Sequence, residues 1–381
     1  MREWVFEPLD TLFFRSGLSI DRGEAGWLES IFPPSPQTMQ GVVRSSIILS
    51  HCRDPKTFGA GRCDTCRDKD TCLLPGCIGT SKEGDYGNID LYGPYLIKEN
   101  KRYYPAPFDL MREKEGSRRL FSVPPSDSPV ICDLGSVRLP TKPQGSDYKA
   151  FDVAGGWIRE DALQRYLDDS KHLPDGQDNL LKEDAFFERE PRVGIARGYA
   201  THKVEEGMLY SIVPLRFKED IKIGVKVNGI DTAIEPKGFA TNVGGEGRVC
   251  KLTIDKPISH QALLNTEKVN RLKMVLLQPA DFNSHWLSSD FKEEKDQGFT
   301  CWEGFVSGIK LRLISACIGR PHKLGGWDMG KRAVKSMHCY VPAGSVYFFE
   351  VTDGDASEVP VEGKIGNNQK IGFGHYLLGR W

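Results

Sequence analysis

Residues 324–335, LGGWDMGKRAVK, and 341–350, VPAGSVYFFE, are the stretch on which the reading of this chain turns. A Gly-Gly-Trp-Asp turn opens a basic segment, and a Pro-Ala-Gly turn then launches an apolar strand. Between Gly304 and Phe349 there are seven Lys or Arg (Lys310, Arg312, Arg320, Lys323, Lys331, Arg332, Lys335) against one acid, Asp328. The chain as a whole has 381 residues, 51 of them basic and 52 acidic, so this positive charge is local. Local positive charge beside glycine turns and aromatic residues suits a phosphate backbone, whereas a net charge of −1 argues against a non-specific nucleic-acid coater.

The length fits two domains with a sizeable core. No basic-plus-apolar leader and no apolar run near the roughly 18 residues of a membrane span is present, which reads as a cytoplasmic protein with no membrane partner. Its ten Cys are then expected as thiols or metal ligands rather than disulfides.

Glu3–Phe14 reads as a first strand. Ser35-Pro36 opens a helix, with Ser suited to the N-cap and Pro to the first helical position, where the missing N–H is unpaired anyway. Val42, Val43, Ser46, Ile47 and Leu49 supply its inner positions. Residues 52–93 are rich in Gly, Asp, Cys and Lys and read as an insertion without a core of its own. Asp161–Asp169 is a short helix, with Leu163, Tyr166 and Leu167 on one face. Val249–Ile254, Met274–Leu277, Ile309–Ile318 and Val346–Val351 read as strands. The expectation is an α+β fold, with helices packed on antiparallel sheets.

Two glycine loops invite a close approach. Gly244, Gly245, Glu246, Gly247 and Arg248 stand just before a strand, where Arg248 suits a phosphate; a plain turn is the alternative. Gly372, Phe373, Gly374 and His375 lie in the closing segment GFGHYLLGRW. Neither loop fits a Walker or a Rossmann pattern.

Six segments in order, FEPLDTLFFR (6–15), FPPSPQTMQGVVR (32–44), RVGIARGYATHKVEEGMLY (192–210), GGEGR (244–248), GGWD…PAGSVYFF and GFGHYLLGRW (372–381), make the chain resemble a known family. It resembles the crRNA 5′-tag-binding subunit of type III-B CRISPR (Cmr) effector complexes, a member of the RAMP superfamily. The cysteine block and Lys331–Lys335 depart from that family's pattern. The resemblance implies two ferredoxin-like (RRM-like) domains, here 1–180 with the Cys-rich insertion 52–93 and 181–381 with a β-hairpin at 192–217. It also implies a non-catalytic guide-RNA role and, as partners, the crRNA 5′ tag, the large signature subunit and a backbone RAMP subunit.

On that reading the RNA-facing candidates are Arg15, Arg44, the hairpin tip Arg197, His202 and Lys203, the loop Gly244, Gly245, Gly247 and Arg248, the basic segment Lys323, Trp327, Lys331, Arg332 and Lys335, and the terminal Gly372, Phe373, Gly374 and His375. Trp327 and Phe373 are the base-stacking candidates, while Phe13 and Phe14 suit a core. For Arg44 a buried ion pair is the alternative.

Cys63-x2-Cys66-x5-Cys72-x4-Cys77 carries a separate chemistry, with His51 and Cys52 just upstream. Four thiolates within 15 residues suit a structural, tetrahedral Zn²⁺ site; an iron–sulfur cluster or free thiols are the alternatives. Two catalytic readings stand beside the scaffold reading. One is a guide-RNA-processing endoribonuclease using His375 or His202. The other is a zinc-stabilised enzyme unrelated to RNA.

Overall fold

The computed structural model describes residues 1–15, 27–80, 82, 84–113, 120–141, 151–168, 179–197, 204–238, 240–257, 270–296, 299–328, 333–354 and 360–381. Two antiparallel sheets dominate them. The first has eight strands, in the spatial order Leu180–Leu181, Trp157–Arg159, Lys101–Pro105, Asp90–Lys98, Ile221–Asn228, Arg2–Pro8, Val249–Pro257 and Ala240–Asn242. The second has seven: Lys292–Asp296, Phe299–Val306, Ile309–Cys317, Val346–Asp353, Arg271–Leu276, His375–Arg380 and Glu362–Lys364. Four α-helices accompany them: α1 (Pro36–His51), α2 (Pro55–Gly59), α3 (Leu74–Ile78) and α4 (Glu160–Asp168). None of the described helices is long and apolar enough to cross a membrane.

α1 forms as its sequence demands. Ser35 caps it by accepting the Thr38 N–H at 3.1 Å, and Pro36 occupies the first turn. Its inner face, Val42, Val43 and Ile47, covers one side of the first sheet, and Ser46 closes a buried 2.6 Å hydrogen bond with Thr241 on the edge strand. Leu49 does not join that face; it is exposed. Period-two alternation does the rest. Trp4 and Phe6 point toward α1, while Val5 between them points to the opposite side.

That opposite side is where the two sheets meet. Val5, Tyr95, Ile97 and Tyr104 of the first sheet pack with Leu163, Tyr166 and Leu167 of α4 and with Val275, Leu277, Val346 and Phe348 of the second. Leu272, Met274 and Leu276 alternate with those positions and face the second sheet's own core. The strand Arg271–Leu276 is therefore buried on both faces. The carboxy-terminal Trp381 closes the seam. Its ring meets Phe348 edge-on at 5.5 Å, its Nε1 donates to the Phe349 carbonyl at 3.1 Å, and Arg271 stands 4.7 Å over it.

Several expectations are corrected. The first strand ends at Pro8, not Phe14; Leu12 keeps only a bridge to Leu215. Sheet membership divides the chain between Pro257 and Arg271 rather than at 180/181, because Ile221–Asn228 and Val249–Pro257 flank Arg2–Pro8 on either side. Residues 52–93 are not coreless. Phe58, Leu74, Ile78 and Ile89 join the first core, and the segment's end is already the inner strand Asp90–Lys98. The α+β class stands, but all the described α-helices precede residue 169, so no helix pair for a second ferredoxin-like domain is among the described residues.

The seam also holds buried polar side chains. Lys273, fully buried, donates from Nζ to the Tyr166 carbonyl oxygen at 2.6 Å and lies 3.5 Å over the Tyr166 ring. Tyr166 donates its hydroxyl to Asp109 at 2.6 Å. Removing the cation leaves a buried helix-end carbonyl and Asp109 without it. Lys273→Ala is expected to cost about 3–5 kcal/mol, read as a fall in the thermal midpoint, whereas Lys222→Ala on the half-exposed side of the first sheet stays within about 0.5 kcal/mol.

Candidate nucleic-acid interface

Two hairpins stand away from the sheets. The first pairs Arg192–Arg197 with Val204–Val213, from Arg192 opposite Ile212 to Arg197 opposite Val204, with an irregularity after Ile195. Val193 and Ile195 are exposed on it. The second pairs His322–Asp328 with Ala333–Tyr340, with Trp327 opposite Val334 and Lys335 opposite Gly326. Residues 333–338 are all exposed, as are Lys323 and Trp327, the latter 53% exposed. The expected basic and aromatic face is thus presented to solvent by Lys323, Trp327 and Lys335. Lys331 and Arg332 lie outside the described residues, as do His202 and Lys203 of the first hairpin. For Arg197 only the backbone pairing is described.

The two hairpins share a root. Trp27–Glu29 runs parallel to Ser211–Val213 as a third strand of the first hairpin. Two residues on, Ile31 packs against Leu324, Tyr340, Ile371 and Phe373 at the base of the second. Phe373 is 1% exposed and stacks on Tyr340, with ring centroids 4.8 Å apart and planes at 17°. The terminal loop is therefore corrected from a ligand surface to an anchor. Phe373 cannot stack a base from inside this cluster. Gly372 and Gly374 are explained by close packing: a Cβ on Gly374 would fall 1.8 Å from the Ile365 carbonyl oxygen.

His375 is buried as well. Its Nε2 is 2.9 Å from Glu362, which also takes Lys226 of the first sheet at 3.1 Å; Lys364 pairs with Asp90 across the same seam. Burial pushes the His375 ring below its ordinary value, against the pull of Glu362. Burial alone would raise the Glu362 carboxyl, but His375 and Lys226 hold it at about 2. A histidine so enclosed reaches no phosphate.

The Gly244–Arg248 loop is only partly available. Gly244 sits at φ +77°, and a Cβ there would lie 2.5 Å from the Phe13 carbonyl oxygen. That same oxygen takes the Gly245 N–H at 2.7 Å, so this donor is spent inside the protein, while Gly247 faces open space. Phe13 and Phe14 are core residues, as expected. Arg15 is exposed. Arg44, half-buried, donates to the Thr80 carbonyl at 2.6 Å.

Arg248 belongs to a cluster that the sequence did not reveal. It pairs with Asp10 at 2.9 Å, and Arg216 and Arg192 approach the same carboxylate at 3.4 and 3.8 Å. Arg192 also reaches Glu190 at 2.7 Å, and Arg216 pairs with it too. Three arginines thus meet two carboxylates at the foot of the first hairpin. The Thr11 N–H and the three arginines lower the Asp10 carboxyl, and Arg216 with Arg192 hold Glu190 at about 2. Arg192 and Arg216 are 56 and 32 residues from Arg248, so only folding brings them together.

Two antiparallel sheets joined along a buried seam, with two hairpins rooted side by side, one of them exposing basic side chains, define an α+β protein. The chain belongs to the CRISPR-associated protein family Cas_Cmr3, whose description matches residues 4–381. No curated protein matches it. Among solved structures it is similar to a chain of the type III-B Cmr-beta complex bound to cognate target RNA and AMPPnP, at 16% identity over 91% of this chain and 86% of that one, TM-score 0.47. It is also similar to a chain of the Csm3–Csm4 subcomplex of the type III-A CRISPR-Cas interference complex, at 13% identity over 100% and 99%, TM-score 0.39.

Phe373→Ala is expected to cost about 3–5 kcal/mol and to loosen the second hairpin, seen as faster amide exchange in residues 322–340. Trp327→Ala leaves the thermal midpoint nearly unchanged, within about 0.5 kcal/mol. Glu362 supplies a pH test. Its carboxyl lies below its unfolded value of 4.5, so its stabilisation is complete above that pH and is lost as pH falls toward about 2. The loss is on the order of 3 kcal/mol. Glu362→Gln is expected to be less stable than the parent at neutral pH and to show a flatter stability profile across that acid window, measured by thermal melts.

Proposed function

We propose that this chain is a non-catalytic subunit that grips the 5′ tag of a guide RNA in a type III-B CRISPR effector complex, between the large signature subunit and the backbone RAMP filament. The observation that carries this reading is the second hairpin, which offers Lys323, Trp327 and Lys335 to solvent from a rigid base in a chain of the Cas_Cmr3 family. Its ammonium groups suit phosphates and its indole suits an unpaired base. At the foot of the first hairpin, Arg192, Arg216 and Arg248 are held ready by Asp10 and Glu190, and a phosphate can displace either carboxylate from them. The nuclease reading loses its best-placed base, since His375 is enclosed.

Binding by the subunit alone is weak and salt-sensitive, and tight capture requires the neighbouring subunits. In an assembled complex, Lys323→Ala with Lys335→Ala is expected to lower guide-RNA retention. For the isolated chain the same pair flattens the plot of log affinity against log salt by about 1.4, since each lost single-strand phosphate contact removes about 0.7. Trp327→Ala lowers affinity without changing that slope. Unchanged retention and slope would move the RNA to another face, and cleavage of tag-containing RNA that is lost on His202→Ala would replace the scaffold with a nuclease.

A further inference from the structure

A further hairpin leans on the second sheet, and its polarity is the reverse of what such a contact needs. Val130–Cys132 pairs with Gly135–Val137, with Val130 opposite Val137 and Cys132 opposite Gly135. Below them the Ser126 N–H donates to the Leu139 carbonyl and the Thr141 N–H to the Pro124 carbonyl, both at 2.8 Å. Gly135 completes the turn at φ +96°, and a Cβ there would lie 2.6 Å from Thr300 Oγ1 on the strand Phe299–Val306.

The side chains that meet the sheet beside that contact are polar. Ser136 and Arg138 are half-buried and line a small cleft of about 80 Å³ with Asp296, Thr300, Arg312 and Glu350. Val137 is buried, but Val130, Ile131, Leu134 and Leu139 are all exposed, Ile131 to 88%. Nothing in a solitary chain rewards that arrangement, since each exposed aliphatic side chain forgoes the gain of burial. Four of them within ten residues of one hairpin differ from the single exposed apolar residues of an ordinary surface and suit a protein contact.

Charge decides what kind of surface fits. From Leu120 to Val137 the sequence has two acids, Asp127 and Asp133, and no Lys or Arg; both carboxylates are exposed. The hairpin that carries Lys323 and Lys335 attracts phosphate, whereas this one repels it, and its exposed apolar side chains are aliphatic rather than flat rings for a base to stack on. What fits is a protein surface with an apolar recess and Lys or Arg around it. The aliphatic tip is then buried at the centre, and Asp127 and Asp133 meet cations at the rim.

We infer that the hairpin carrying Val130, Ile131 and Leu134 is a docking element for a neighbouring protein subunit, which receives Ile131 and Leu134 in an apolar recess rimmed by basic side chains. This role rests on the reading of the chain as one subunit of a type III-B complex, and it serves assembly rather than RNA capture.

The test compares the full chain with two double variants, Ile131→Ser with Leu134→Ser and Asp127→Asn with Asp133→Asn. All four positions are exposed, so thermal midpoints are expected to stay near the parent's. Binding to the purified large signature subunit and to the purified backbone RAMP subunit is measured by biolayer interferometry, and amide exchange is compared between the free chain and the assembled complex. The serine pair is expected to weaken binding to one of the two subunits by about tenfold or more, as loss of central apolar anchors does. The asparagine pair is expected to slow association and to flatten its salt dependence. Amides of residues 130–136 are expected to exchange more slowly in the complex, and the serine pair is expected to leave the isolated chain's affinity for tag RNA unchanged. Parent-like binding to both subunits, with free-chain exchange rates in the complex, overturns the docking role and leaves the RNA reading standing. A concentration-dependent dimer of the isolated chain that the serine pair abolishes assigns the hairpin to a second copy, and lost RNA affinity in that variant assigns it to RNA; either overturns the role. A chain that binds neither subunit overturns this role together with the reading on which it rests.

Discussion

A single lysine with no exposed surface, Lys273, constrains how the two sheets of this protein meet. It lies on an inner strand of the second sheet, on the face that otherwise carries Val275 and Leu277 into the seam. Its ammonium donates to the carbonyl of Tyr166, in the last turn of α4, where the helix dipole favours positive charge. Tyr166 in turn donates to Asp109, whose carboxyl is raised by burial and drawn back down by Lys273. Such a chain tolerates little sliding, because each member buried without its neighbour incurs a large desolvation cost. Apolar contacts along the seam supply area; the lysine supplies register.

The far end of the same seam shows the complementary arrangement. Lys226 and Asp90 from the first sheet meet Glu362 and Lys364 from the second, with His375 enclosed between them and its ring edge-on to Tyr92 at 5.0 Å. Directional polar contacts at two places fix both the distance and the rotation of one sheet on the other. The bases of both hairpins are built from this fixed frame. The second is stacked on Phe373 just before the strand that carries His375, and the first is tied to Trp27–Glu29. Rigid roots with exposed arms suit capture of a flexible strand, since the ordering cost then falls on the ligand rather than on the protein.

Charge in the arms is arranged in two ways. On the second hairpin Lys323 and Lys335 are exposed, beside an indole that is half in water. At the foot of the first, arginines are already neutralised in part by Asp10 and Glu190. A phosphate arriving there must compete with carboxylates, which lowers affinity but keeps three guanidinium groups oriented before it arrives. The near-neutral total charge of the chain is compatible with both, because attraction at contact distance depends on the local arrangement and is screened beyond a Debye length.

Local features were legible from residues alone. The Ser35 cap with Pro36, the inner face of α4, the strands near Val249, Met274, Ile309 and Val346, the core positions of Phe13 and Phe14 and the exposure of Trp327 follow from periodicity, capping chemistry and turn residues, all of which act over a few positions. The ordered segments from Phe6 to Trp381 also carried the family. What only the tertiary structure decided were long-range pairings: the strands Ile221–Asn228 and Val249–Pro257 flanking Arg2–Pro8, the burial of Phe373 and His375, and the meeting of Arg192, Arg216 and Arg248. A glycine loop that approaches a ligand and one that lets a chain pass close to its own backbone are written with the same residues. The difference lies in what stands opposite them, and that is set by which distant strands exchange hydrogen bonds.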